Sequence, residues 1–217
     1  MHIRPGLRSA ALALGLVLSA CGEDDPGQPP EHGPPVPVPE AGAPRDVAVL
    51  EIAGMGEIRF ELLADVAPQT AAHFAALAEQ GYYDGTTFHR VAPGFMIQGG
   101  DPNTRDRDPR NDGLGDRAHT VADERPDVSH VRGMVSLANR GFPNTGGTQF
   151  FIVLSDARHL DGEFATFGRV TAGMEVAERI AAVERDLYGR HGPVDRPLEN
   201  VVVTRVRIER AKPGAVP

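Results

Sequence analysis

One cation, Arg90, stands just ahead of an apolar cluster in the run Phe88-His89-Arg90-Val91-Ala92-Pro93-Gly94-Phe95-Met96-Ile97-Gln98-Gly99-Gly100. Arginine keeps its charge at any physiological pH and presents its N–H donors in a rigid fork. Buried beside apolar side chains, such a group is costly unless it binds something. The expectation is a buried arginine at the edge of a ligand pocket. Other chemistries lack their residues. Cys21 is the only cysteine, which excludes an intrachain disulfide and a thiolate metal site. His119, His130, His159 and His191 show no H-x-x-x-H spacing for zinc. No G-x-S-x-G elbow marks a serine hydrolase, and Gly99-Gly100 lacks the strand–glycine–helix setting of a nucleotide loop. Asp108, Asp112 and Gly113 suit a calcium loop, but Arg110 and His119 fall where that loop needs ligands. No metal and no cofactor is expected.

These residues must be held by elements, and the pattern supplies short strands. Val47 to Ile52 alternates, Gly54-Met55-Gly56 turns, and Ile58, Phe60 and Leu62 alternate again, which predicts a hairpin. Pro68 suits a first helical turn, where its missing N–H costs nothing. Phe74, Leu77 and Ala78 share a helical face, and Gly81 ends it. Short apolar runs follow at 88–91, 95–98, 134–138, 150–154 and 166–170. A second helix is predicted over 173–183, and a last strand over 201–208. Pattern alone gives a mainly β domain with two helices. Residues 101–120 are polar turn sequence, read as an exposed, mobile loop beside the site.

The N-terminus is an address. Two arginines, Arg4 and Arg8, precede an uncharged apolar run from Ser9 to Leu18, then Leu18-Ser19-Ala20-Cys21. That is the pattern of a secretory signal, and the run is too short to cross a bilayer core of about 30 Å. Leu18-Ser19-Ala20-Cys21 resembles the lipobox of bacterial lipoproteins. The resemblance implies cleavage before Cys21, lipidation of Cys21 and stable membrane anchoring through several acyl chains. Residues 22–44 are rich in proline and glycine and cannot bury enough apolar surface to fold. They read as an extended tether. The division expected is a signal peptide over 1–20, a lipidated tether over 21–45, a folded domain over 46–210 and a disordered tail over 211–217. The place expected is the cell envelope, facing periplasm or exterior.

The whole chain has 217 residues and a formal net charge of −8. Without Arg4 and Arg8 it carries 20 basic against 30 acidic residues. That balance excludes nucleic acid as a partner and anionic lipid held by a basic patch. Lys212 is the only lysine, a composition bias without functional content.

Four motifs in order resemble those of cyclophilin-type peptidyl-prolyl isomerases. The first is Phe88-His89-Arg90 with Pro93-Gly94-Phe95-Met96-Ile97-Gln98-Gly99-Gly100-Asp101. The second is Gly133-Met134-Val135-Ser136-Leu137-Ala138-Asn139, and the third Thr148-Gln149-Phe150-Phe151-Ile152. The fourth is Leu160-Asp161-Gly162 with Phe167-Gly168-Arg169-Val170. The resemblance covers about 47–209. It implies a closed eight-stranded antiparallel barrel capped by two α-helices. It implies that Arg90 is catalytic, with Gln98 orienting Arg90 and accepting from it. It implies a proline pocket of Phe95, Met96, Phe151 and Leu160, with Gln98, Ala138, Asn139 and Gln149 holding the peptide backbone. Three positions depart from the common pattern. His159 stands where many cyclophilins carry the tryptophan associated with cyclosporin binding. Phe164 replaces a histidine of eukaryotic members and still walls the pocket. The loop from Arg140 to Gly147 is one residue longer.

Phe95 and Met96 are neighbours expected to face opposite ways, and at least one of Phe150, Phe151 and Ile152 must be core. His89 is expected to face away from Arg90 and make a structural hydrogen bond. The function implied is rotation of X–Pro bonds in unfolded or flexible proline-containing polypeptides, here exported ones. The expected state is a monomer. The rival readings are a non-catalytic proline-peptide binding module and a structural envelope lipoprotein.

Overall fold

The computed structural model describes residues 34–40 and 44–212. The signal peptide, Cys21, most of the tether and residues 213–217 lie outside the described residues. Among the described residues no helix is long and apolar enough to cross a membrane.

Eight predicted apolar runs become the staves of one antiparallel sheet. They are β1 (Val47–Ile52), β2 (Gly56–Leu62), β3 (Thr87–Phe88), β4 (Arg90–Ala92), β5 (Met96–Gly99), β6 (Met134–Leu137), β7 (Phe150–Val153) and β8 (Ala165–Ala172), with a last strand, Val201–Glu209, described below as β11. The order around the sheet is β3-β11-β1-β2-β8-β6-β7-β5-β4. The two outer members are halves of one stave, interrupted only at His89. β3 pairs with β11 through Val201↔Phe88, and β4 pairs with β5 through Arg90↔Gln98. The His89 N–H donates to Gln98 O at 3.0 Å. The sheet therefore closes on itself as an eight-stave barrel, and closure removes the free edges that sheets otherwise expose. Register shifts in the β1–β11, β2–β8 and β6–β8 pairs supply the local twist that closure needs.

Two elements were not predicted. β9 (Arg185–Asp186) and β10 (Arg196–Pro197) form a small ribbon ahead of β11, too short to leave a periodicity signal. Three 3₁₀ turns also appear, at Pro102–Arg105, Pro109–Asn111 and Arg158–Leu160. The loop expected to be mobile is thus tied down. Asp101 and Asp108 each accept from the backbone N–H two residues on, and Asp112 pairs with Arg196 at 2.6 Å.

The helices are α1 (Pro68–Glu79) and α2 (Met174–Ala181). Pro68 opens α1 where its lost N–H is harmless. Ala67 offers no capping side chain, and the cap comes from afar. Glu124 accepts from the N–H groups of Gln69 and Thr70 at 3.0 and 2.7 Å and from the Thr70 hydroxyl at 2.6 Å. A carboxylate there satisfies orphan donors and complements the helix dipole. The buried face of α1 sends Phe74 into an aromatic cluster. Its ring lies 4.8 Å from Tyr83, 5.5 Å from Phe150, 5.4 Å from Phe60 and 5.2 Å from Phe167.

Apolar side chains fall into two clusters, one on each face of the sheet. Val91, Ile97, Val135, Leu137, Phe150 and Ile152 point inward with the α1 cluster. Met96, Met134, Phe151 and Val153 point outward, with Leu63, Val128 and Ala157. Part of the proline-rich stretch lies on this outer side. Val36 N–H donates to Ser129 Oγ at 2.9 Å, Ser129 N–H donates to Val36 O at 3.0 Å, and Val38 packs against the outer cluster. Arg45, whose side chain is only 6% exposed, bonds Pro39 O at 2.8 Å and pairs with Asp65 and Glu61.

Phe74→Ala removes a fully buried ring from this interior. It should lower unfolding free energy by about 3–5 kcal/mol in denaturant titration. A loss below 1 kcal/mol would mean that the cluster does not hold α1 to the barrel.

Candidate active site

Antiparallel register sets which side chains meet. Arg90 opposes Gln98 and Ala92 opposes Met96, while Gln98 opposes Phe151. Directly opposed residues share a face, so Arg90, Gln98, Met96 and Phe151 all project outward. They surround a cavity of about 190 Å³, completed by Phe95, Ala138, Asn139, Leu160 and Phe164. An adjoining hollow of about 80 Å³ shares Gln98, Ala138 and Asn139 and is walled by Gln149 and Gly113. All ten residues expected in the site thus border one continuous groove. A larger hollow of about 390 Å³ between α1 and Arg45 is lined by the charged residues Arg45, Asp65, Asp46 and Arg210. Its ion pairs, Arg45–Asp65 and Arg210–Asp46, are mutually neutralising, and its apolar lining is aliphatic, from Leu62 and the alanines of α1, with no aromatic ring.

Several expectations need correction. Arg90 is exposed, not buried, and stands at the rim of the cavity. Its guanidinium has no hydrogen bond or ion pair among the described residues. Its charge therefore carries no burial cost until something covers it. Gln98 does not bond Arg90; its Nε2 donates to Gln149 Oε1 at 2.8 Å. Phe95 does not oppose Met96. Phe95 belongs to the turn before β5, with its N–H on Ala92 O at 3.0 Å, and that turn swings its ring to the pocket side beside Met96. His89 makes no side-chain hydrogen bond: its ring is buried and neither nitrogen reaches a partner. Asn139 lines the cavity, yet its side chain is committed to Glu163 O at 3.2 Å and to the Gly141 N–H at 2.9 Å. What Asn139 has left for a peptide is one side-chain N–H, one lone pair and its main chain.

The floor of the cavity is a braced aromatic stack. Phe151 is 5% exposed and meets Phe164 edge-on at 5.3 Å. Behind it His130 lies parallel to Phe151 at 6.1 Å. The His130 ring is fixed at both nitrogens. Nδ1 is 2.9 Å from Asp161 Oδ1, which also accepts from the His130 N–H at 2.7 Å, and Nε2 is 3.2 Å from Thr166 Oγ1. A carboxylate accepts only, so Nδ1 carries the proton and Nε2 accepts from the Thr166 hydroxyl. Sequence reasoning passed over His130 because it sought metal-ligand spacing. Its partner, Asp161, was in plain view within Leu160-Asp161-Gly162. At the other end of the cavity His159 stacks on Phe95 at 5.6 Å and 28°.

A family model described as "Cyclophilin type peptidyl-prolyl cis-trans isomerase/CLD" matches residues 47–208. The "Peptidyl-prolyl cis-trans isomerase-like 1" of Rhizopus delemar is 44% identical over 148 residues, covering 67% of this chain and 86% of the relative. "Peptidyl-prolyl cis-trans isomerase CYP18-1" of Arabidopsis thaliana is 42% identical over 156 residues, covering 71% and 91%. Among solved structures, a cyclophilin-type isomerase of Cryptosporidium parvum crystallised in the presence of the dipeptide Ala-Pro superposes with a TM-score of 0.63. It is 30% identical and covers 75% of this chain and 98% of that one. A barrel of this topology with this match defines the class, and the chain belongs to the cyclophilin-type family and is a peptidyl-prolyl cis-trans isomerase. The family model's match begins at the first strand and leaves residues 1–46 outside it.

Three histidines make stability depend on pH. Burial holds His89 below its usual value against the pull of Asp101 and Asp112. It does the same to His130 against Asp161, and to the half-buried His73 against the Gly147 carbonyl. The unfolded chain protonates them near 6.5; the folded chain does so only at lower pH. Stability is then fully present above 6.5 and declines on acidification below it. The denaturant midpoint at pH 5.5 should lie below that at pH 7.5, by a margin well above the effect of ionic strength alone. An equal or higher midpoint at pH 5.5 would contradict neutral burial of these rings.

Proposed function

We propose that Arg90 is the catalytic group and that the chain acts on exported proline-containing polypeptides at the cell envelope, held there by lipid on Cys21. The observation that carries the catalytic reading is an unpaired guanidinium on the rim of a small apolar cavity floored by Phe151 and Met96. Rotation about an X–Pro bond crosses a barrier of about 18–20 kcal/mol, because resonance gives the C–N bond double-bond character. No bond breaks, so neither nucleophile nor cofactor is required. The twisted state localises the lone pair on the imide nitrogen. A donor aimed at that nitrogen stabilises the twisted state over either planar one, which is differential transition-state binding.

The cavity divides the work. Phe95, Met96, Phe151, Leu160 and Phe164 grip the pyrrolidine ring through apolar contact, and the thioether of Met96 adapts to it. The preceding carbonyl is then free to swing. A peptide laid over Arg90 excludes water from the guanidinium and strengthens its hydrogen bond. An acceleration of about five decades corresponds to roughly 7 kcal/mol at 1.36 per decade. One charge-assisted donor supplies about 3–4 kcal/mol of that, and gripping and desolvation supply the rest.

The envelope placement is supported by Arg4, Arg8, the apolar run to Leu18 and the sole cysteine at Cys21. A monomer is supported by closure of the barrel, which leaves the main sheet no free edge to offer a second copy.

Two experiments test this reading. In exchange measurements on an Ala-Pro peptide, Arg90→Ala should lower kcat/KM by about 100-fold while peptide affinity stays within a few fold. Wild-type turnover by that variant would remove Arg90 from catalysis. Separately, Cys21→Ala expressed in a bacterial host should accumulate as an unprocessed precursor that takes up no labelled fatty acid. Normal processing of that variant would refute the anchor.

A further inference from the structure

The two glutamines at the cavity rim are joined to a buried carboxylate. Asp101 is fully buried, and its Oδ1 accepts from the Asn103 N–H at 2.9 Å. Its Oδ2 accepts from the Gly115 N–H at 3.0 Å and from Gln149 Nε2 at 3.4 Å. The same Nε2 donates to Gly113 O at 3.0 Å. A carboxylate and a carbonyl can only accept, so the Gln149 end that faces them must be its NH₂. Its Oε1 must then face the other way, where Gln98 Nε2 donates to it at 2.8 Å. With one N–H of its nitrogen turned to Gln149, Gln98 keeps Oε1 as its open acceptor on the face it shares with Arg90. The arrangement is tightly boxed. Gly115 has φ +66°, and a Cβ there would come within 2.9 Å of Gln149 Nε2.

We infer that Asp101 is a positioning residue that sets the direction of a two-amide relay, so that Gln98 presents oxygen and not nitrogen beside Arg90. The inference rests on the isomerase reading, in which Arg90 and Gln98 border the reacting imide. An acceptor beside the guanidinium can hold its fork in place or take a peptide N–H. A nitrogen there would set donor against donor. Amides can turn end for end at little steric cost, so their direction needs an outside determinant. Asp101 supplies it together with Gly113 O, from a site that water does not reach and where unmatched polar ends are most costly.

Disruption of the relay at each end tests the claim. Gln98→Glu removes the N–H that Gln149 Oε1 accepts, and kcat/KM on the Ala-Pro peptide should fall about tenfold or more. Asp101→Asn, with its oxygen kept on the Asn103 N–H, turns an NH₂ toward Gln149 Nε2, donor against donor, and should lower kcat/KM several-fold. In a Gln149→Met background Asp101→Asn should cost nothing further, because the middle of the relay is gone. An unchanged kcat/KM in Asp101→Asn, or a loss of equal size in the Gln149→Met background, would overturn the inference.

A measurement on the unmutated chain stands apart from folding of the variants and from turnover. Both side-chain amide protons of Gln149 should exchange slowly with solvent in NMR, against one of the two on Gln98. Free exchange at Gln149 would overturn the relay. Absence of peptide turnover by the unmutated chain would instead strike the isomerase reading and leave the amide measurement standing.

Discussion

One sheet serves as both the wall of the core and the floor of the pocket, and its two-residue alternation is the constraint from which the rest follows. Along β7, Phe150 and Ile152 enter the barrel and Phe151 and Val153 leave it. Along β5, Ile97 enters while Met96 and Gln98 face out. A slip of one residue in either strand would send the side chains that floor the cavity inward and the core outward. Phe150 is locked against Phe74 of α1, so the helix on one side of the sheet fixes the position of Phe151 on the other. Packing energy and active-site geometry are therefore not separate quantities in this protein. What holds α1 down also holds the pocket in register.

The outer face poses a harder problem than the inner one, because polar groups must be satisfied beside an apolar cavity. Two devices solve it. On one flank Asp161, His130, Thr166 and Ser136 form a bonded chain behind Phe151. Burial pushes the Asp161 carboxyl up, but the His130 N–H and ring bonds outweigh this and hold it below its ordinary value. The pair thus offers the stacked ring a neutral, fixed imidazole. On the other flank the chain from Asp101 through Gln149 to Gln98 carries polarity out to the rim. Between them Arg90 stays in water. A cation that remains hydrated until substrate arrives costs nothing in the free protein and gains strength as the peptide excludes solvent.

The fold was legible because its signals are local. Alternation in Val47–Ile52 and Ile58–Leu62, Pro68 and Gly81 around α1, and glycine-bounded apolar runs all report backbone periods directly. The residues around the cavity were legible because they sit within four contiguous motifs. What escaped depends on contacts between distant segments. Nothing near Ala67 announces that Glu124 caps α1. Nothing near Val128 announces that His130 will brace a ring from β7. The exposure of Arg90 was misjudged because the run around it is largely apolar, whereas alternation buries its neighbours His89 and Val91 and turns Arg90 out. Gln98 was assigned to the nearer cation because pairing by chain distance ignores the strand across from it.

The proline-rich segment shows the same gap between composition and contact. Low apolar content argues that such a stretch cannot build a core of its own, but it does not argue against lying on a core that already exists. Proline lacks an N–H, so in Pro35-Val36-Pro37-Val38-Pro39 only the valines can donate, and Val36 does so to Ser129. Carbonyls remain usable at every position, and those of Val36 and Pro39 are taken by Ser129 and Arg45. Alternation with proline preserves an extended backbone that presents Val38 to the outer cluster beside Leu63 and Val128. Should Cys21 carry the proposed lipid, the span that sets how far the pocket stands from a membrane ends at Val36 and not at Asp46. That is roughly 45 Å of extended chain at about 3.1 Å per residue.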